Sequence, residues 1–217
     1  VVGPSAIAID GQVHTEQGKQ PYPVPHALTI DEIPSVVDDF VASARRAIDA
    51  GLDGVEVHSA NGYLLHEFLS PASNVRDDQY GGSVENRIRL VVEVVKAVSE
   101  AVGAGRVGLR ISPEHNIQDA VETDRDDVRA VYGALVDALQ PLGLAYLSVL
   151  HKEPTGDLVQ ELRKRFGGKV IANSGFGSPT TRDEAVQLID DSHADAVAVG
   201  RALIANPDLA ERWRDGQ

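Results

Sequence analysis

The chain has 217 residues, 42% hydrophobic and 24% charged, the balance of a globular chain with enough length for one core. Its 33 acidic against 20 basic residues leave a formal net charge of −13, which repels phosphate backbones and argues against a nucleic-acid partner. It has no cysteine, so disulfides, thiol catalysis and Cys-ligated metals fall away.

No His, Asp or Glu run has metal-ligand spacing, so no metal is expected. No apolar run nears the roughly 20 residues of a membrane span, and the first ten residues lack the build of a signal peptide. The expected setting is cytoplasmic, with no membrane contact. Met is missing throughout, position 1 included, which points to a processed or truncated chain.

Residues 1–28 are rich in Pro, Gly and polar residues and read as a long loop. Thr29 and Glu32 form a T-x-x-E capping box, and Ile33, Val36, Val37, Phe40, Val41, Ala44 and Ile48 share a helical face. Gly51 is the stop, and residues 54–58 read as a strand. A second helix spans about 84–102 and leads to a strand at 107–111. Asp124 or Asp126 opens a third helix, followed by a strand at 145–150. A helix near 156–166 precedes a strand at 169–173. Thr181 and Glu184 make a second capping box, whose helix feeds a strand at 195–199, and 206–213 is short and helical.

Five short apolar strands alternating with helices predict a parallel sheet covered on both faces. The fold class is α/β, either doubly wound or a (β/α) barrel. A full barrel of eight units needs about 250 residues, so about five units fit this length. In either fold, chemistry gathers at the carboxyl ends of the strands, and the polar residues here do the same. The first strand runs into His58-Ser59-Ala60-Asn61-Gly62-Tyr63, the second carries Arg110, the fourth runs into Asn173-Ser174-Gly175-Phe176-Gly177, and the fifth into Gly200-Arg201.

Ser174, Gly175, Gly200 and Arg201 suit an anion, since small residues let backbone N–H groups approach a phosphate; the alternative is that the glycines serve tight turns only. Arg110 on an otherwise apolar strand needs an anion, an electron-rich ring or a structural salt bridge. His58 and Asn61 either satisfy loop backbone or bind a ligand, and Tyr63 alone reads as a half-buried aromatic. The string Gly-Ala-Gly-Arg-Val-Gly at 103–108 matches a dinucleotide fingerprint, but a helix precedes it and a strand follows. That order is reversed, so it is set aside.

Residues 54–89, GVEVHSANGYLLHEFLSPASNVRDDQYGGSVENRIR, resemble the signature of the old yellow enzyme family of flavin-dependent ene-reductases, as do VGLRISP, KVIANSG and AVGRALIANPDL further on. The resemblance implies a TIM barrel with FMN at its carboxyl face, of which residues 1–217 would form a single partial-barrel domain. It implies that His58 and Asn61 hold the carbonyl, nitro or phenolate oxygen of a substrate and that Tyr63 donates a proton. Arg110 would lie beside the flavin ring, with Ser174, Gly175, Gly200 and Arg201 at its phosphate.

The implied activity is reduction of the C=C bond of α,β-unsaturated carbonyl or nitro compounds with NAD(P)H, the partner being a small activated alkene or a quinone. The family's first three strands have no counterpart, which leaves two open sheet edges for a homo-oligomer or a complementing fragment to cover. The alternatives are a non-catalytic barrel fragment, or a dienoyl-CoA-reductase-like or amine-dehydrogenase-like relative on the same barrel.

Overall fold

The computed structural model describes residues 1–175, 177 and 179–216; Phe176, in the expected loop after the fourth long strand, lies outside the described residues. The first 28 residues are not simply a loop. Strand β1 (Val2–Gly3) pairs in parallel with β4 (His26–Ala27), and β2 (Gln12–Thr15) forms an antiparallel hairpin with β3 (Gly18–Pro21). Thr15 Oγ1 donates to the Gly18 carbonyl at 2.9 Å and accepts from Gln17 N–H at 3.1 Å, closing the turn. Almost every hairpin residue is exposed, so no apolar alternation marks these strands in the sequence.

Helix α1 (Ile33–Asp49) begins with Pro34 in its first turn, where a missing N–H costs nothing. Only half of the expected capping box forms. Glu32 Oε2 accepts from Thr29 N–H at 2.7 Å, but the Thr29 hydroxyl donates to the same carboxylate at 2.9 Å instead of capping the helix. Next come β5 (Val55–Ser59), α2 (Leu64–Leu69) and α3 (Val84–Val102). The sequence reading missed α2 because six residues are too few to show a period of 3.6. Ser83 caps α3 by accepting from Asn86 N–H.

Then follow β6 (Val107–Ile111), α4 (Arg125–Leu139), β7 (Tyr146–Leu150), α5 (Asp157–Phe166) and β8 (Val170–Asn173). Of the two candidate caps of α4, Asp124 is the one used, accepting from Asp126 and Asp127 N–H. The chain ends with α6 (Arg182–Asp190), β9 (Ala196–Val197), α7 (Arg201–Ala205) and α8 (Leu209–Arg214). Thr181 caps α6 through Glu184 N–H at 3.2 Å. Strand β9 has two residues where five were expected, and α7 was not foreseen.

The main sheet has the order β5-β6-β7-β8-β9, all parallel. A doubly wound sheet reverses direction at a switch point; strictly sequential order is that of a (β/α) barrel. One face of the sheet is apolar. Val57, Val107, Leu109, Ile111, Leu147, Val149 and Val170 are buried in a core shared with Val91, Val95 and Val98 of α3 and Leu135 of α4. Truncating one of them to Ala, Leu109 for instance, removes about 2–5 kcal/mol.

The other face corrects the expectation of strands apolar on both sides. The register His58↔Arg110↔Ser148↔Ile171 runs across four strands, with Glu56↔Gly108↔Tyr146 one layer below. Successive residues of a strand point to opposite faces, so the inner face is largely polar. In runs of five residues, Gly108, Leu150 and Ile171 on that face conceal the period of two.

Candidate active site

Strand β5 ends at Ser59 and the chain reverses sharply. Asn61 and Gly62 are both left-handed, with φ of 59° and 73°. A Cβ at position 62 would also stand 2.5 Å from the Ile117 carbonyl oxygen, so glycine is required there twice over. Three backbone groups of the turn have side-chain partners. Asn61 N–H donates to Ser112 Oγ at 2.7 Å, Gln118 Nε2 donates to the Asn61 carbonyl at 3.2 Å, and Gly62 N–H donates to His66 Nδ1 at 2.8 Å. The reversal brings Tyr63 back over His58, with ring centroids 5.3 Å apart. Asn61 Oδ1 is buried with no hydrogen-bond partner among the described residues, an acceptor left unsatisfied on this turn.

His58 is half-buried. Burial lowers its pKa, assisted by the charge of Arg110, so its ring is held neutral and presents one N–H donor and one acceptor. Arg110 is His58's register partner on β6. Its Nη1 donates to Ser148 Oγ at 3.0 Å, and among the described residues it forms no ion pair with a carboxylate. The structural salt bridge left open by the sequence is therefore not seen there.

Arg110 lines a cavity of about 500 Å³ together with Asn173, Gly175, Thr180, Gly200 and Arg201. A Cβ on Gly200 would meet nothing within 4 Å, and one on Gly175 only Leu150 Cδ2 at 3.7 Å, so bare backbone faces this space. Ser174 lies behind it, its hydroxyl 3.4 Å from Thr180 Oγ1. Two guanidinium groups and exposed backbone at adjacent strand ends suit a ligand that combines a phosphate with a planar ring.

Tyr63 lines a second cleft of about 560 Å³, walled by Val13, Tyr22 and Pro23 on one side and Leu64, Glu67 and Gln118 on the other. Desolvation raises the Glu67 pKa. The sequence reading missed this wall because the first 28 residues carried no pattern; it also missed Ser148, whose only signal was its alternate position on β7. His58 joins the two spaces, through its register with Arg110 and its ring contact with Tyr63. Among the described residues no group of three His, Asp or Glu is placed to hold a metal ion, and no helix is long and apolar enough to cross a membrane.

The NADH:flavin oxidoreductase / NADH oxidase family model matches residues 1–217. The chain belongs to this family. It is 41% identical over 220 residues, 98% of its length, to a probable flavin mononucleotide-dependent alkene reductase of Leishmania infantum, covering 58% of that protein. It is 40% identical over 215 residues to 12-oxophytodienoate reductase 1 of Oryza sativa subsp. japonica, covering 94% of this chain and 54% of that one.

Among solved structures, the old yellow enzyme homologue from Zymomonas mobilis superposes with a TM-score of 0.89 at 37% identity, over 99% of this chain and 61% of that one. Morphinone reductase in complex with tetrahydroNAD superposes with a TM-score of 0.88 at 41% identity, over 99% and 59%. The chain thus spans between 54% and 61% of the length of these relatives. The sequential parallel sheet is part of an old yellow enzyme TIM barrel, and the family is one of enzymes that use FMN with a nicotinamide reductant.

Proposed function

We propose that residues 1–217 form one partial-barrel FMN-binding domain of an ene-reductase, which reduces the C=C bond of α,β-unsaturated carbonyl or nitro compounds with NAD(P)H as electron donor. The observation that carries this reading is the return of Tyr63 onto His58, which stands in register with Arg110. The cavity residues fit the cofactor. Arg201 and the bare backbone at Gly175 and Gly200, with Ser174 beside them, would hold the phosphate. Arg110 would face the ring and balance negative charge on it.

When bound, FMN supplies hydride to the β-carbon of the activated alkene. The rest falls to this chain's own side chains. His58 at the end of β5 and Asn61 on the pinned turn after it donate, through a ring N–H and through Nδ2, to the same substrate oxygen and stabilise the charge that develops there, as an oxyanion site does. Their fixed geometry needs no rearrangement as the charge builds. The Tyr63 phenol delivers its proton to the α-carbon, a general-acid contribution of about 10²–10⁴-fold. The apolar wall of the second cleft then holds the carbon skeleton away from water.

The test is optical. The purified protein should show the visible band of bound flavin near ~450 nm, and a phenol should perturb that band by binding as phenolate against His58 and Asn61. The double variant His58→Ala, Asn61→Ala should keep the flavin and lose the perturbation. Normal phenol titration in that variant refutes the assignment, and a colourless protein favours the non-catalytic fragment.

A further inference from the structure

Behind the catalytic turn lies a buried polar network that the proposed chemistry does not use. His66 and Tyr132 are fully buried and Glu122 is 5% exposed. They come from α2, α4 and the loop between β6 and α4, so no sequence spacing joins them. Gly62 N–H can only donate, so the His66 Nδ1 that receives it is unprotonated. The proton of the neutral ring is therefore on Nε2, which faces Glu122 Oε1 at 3.3 Å. Tyr132 donates its hydroxyl to the same oxygen at 2.8 Å, and Glu114 N–H donates to Glu122 Oε2 at 2.9 Å. Burial and Glu122 push the Tyr132 phenol pKa well up, so it stays a donor.

Every contact thus runs into the Glu122 carboxylate, the arrangement that a buried anion needs. The same residue also shapes the loop. Its own N–H donates to Asn116 Oδ1 at 2.6 Å, and the loop holds Glu114, Asn116, Gln118 and Asp119 at positive φ, a conformation that must be imposed by its surroundings. Ile117 and Gln118 of this loop are the residues that cover Gly62 and Asn61.

We propose that Glu122 is a positioning residue for the catalytic turn: it selects the Nε2-protonated tautomer of His66 and shapes the loop over Gly62, and through both it sets the aim of Asn61 and Tyr63. This rests on the proposed function only for what the turn does, not for how it is held. Glu122→Gln keeps the shape but places an NH₂ against either Glu114 N–H or the His66 and Tyr132 donors. The structure predicts five results. Ring ¹⁵N shifts will show His66 losing its single tautomer, and the Gly62 amide will exchange at least tenfold faster. Phenol will bind the flavin-loaded variant about tenfold more weakly, a loss of ~1.4 kcal/mol, while flavin retention stays unchanged. His66→Asn, whose Oδ1 can replace Nδ1 as the Gly62 acceptor, should restore part of the phenol affinity that His66→Leu loses.

An unchanged tautomer and unchanged Gly62 exchange in Glu122→Gln overturn the proposal. So does faster exchange with full phenol affinity, which makes the network purely structural. Should Glu122→Gln fail to fold, Tyr132→Phe removes one donor and spares the His66 bond; its Gly62 exchange should rise severalfold, and no rise overturns the proposal. If phenol binding proves independent of His58 and Asn61, the reading of the site fails instead, and the tautomer and exchange data still decide the role of Glu122 in holding the turn.

Discussion

Tyr146 lays its ring across the bare backbone of Gly108, so that a Cβ at 108 would stand 2.3 Å from Tyr146 Cζ. Burial raises the Tyr146 phenol pKa, and so does Glu56, which shares a hydrogen bond with it across the intervening strand. The ring fills the space left by the missing side chain on β6 and ties the layer beneath Arg110 together. Gly108→Ala should therefore displace the ring and cost about 1–3 kcal/mol in urea unfolding. In a Tyr146→Ala background the same change should cost clearly less, and that coupling is what a double-mutant cycle reads.

Glu32 supplies the pH test. Its pKa is lowered from 4.5 to about 2, chiefly by the Thr29 backbone N–H, then by His26 and the Thr29 hydroxyl. A carboxylate with a depressed folded pKa contributes stability that is present above its unfolded value and is lost as pH falls through the folded one. The contribution should thus be complete above about 4.5 and fade toward about 2. Glu32→Gln should melt below the wild type at pH 7, and the two melting temperatures should converge by pH 2.

Tyr63→Phe keeps the aromatic contact with His58 and removes only the acidic proton. Alkene reduction should fall by ~10²-fold or more. Reduction of the enzyme by the nicotinamide should keep its rate, and quinone reduction, whose product oxygens take protons from solvent, should be spared. Stopped-flow measurement of the two half-reactions checks this, and equal slowing of both removes Tyr63 as the proton donor.

Arg201 lies in the same cavity as Arg110 and Gly200. Arg201→Glu replaces an attraction for phosphate with a repulsion and should weaken flavin retention at least tenfold, about 1.4 kcal/mol. Equilibrium dialysis against FMN measures it directly.

What the sequence revealed followed the physics of its signals. Long helices such as α3 and α4 and the apolar strand β6 declared themselves, because 19, 15 and five residues repeat one clear pattern. His58, Asn61, Tyr63 and Arg110 were legible because strand ends are where such folds carry chemistry. The exposed hairpin left no apolar trace, and six-residue α2 was too short. The Glu122 network was invisible for another reason. Its three members lie 56 and 10 positions apart and meet only after α2, α4 and the loop have packed.

The register across β5 and β6 has a consequence for how this barrel can change. Leu109 lies in the core, and its neighbour Arg110 faces the cavity. Inserting or deleting one residue within β6 would turn the strand over, driving a guanidinium in among α3 and α4 and setting a leucine where the cofactor ring would lie. Stability and chemistry would fail together, so selection cannot trade one against the other by shifting length inside the strand. The loops beyond the strand ends can change length without turning the strand over, and single substitutions at alternate positions can reshape the cavity face alone.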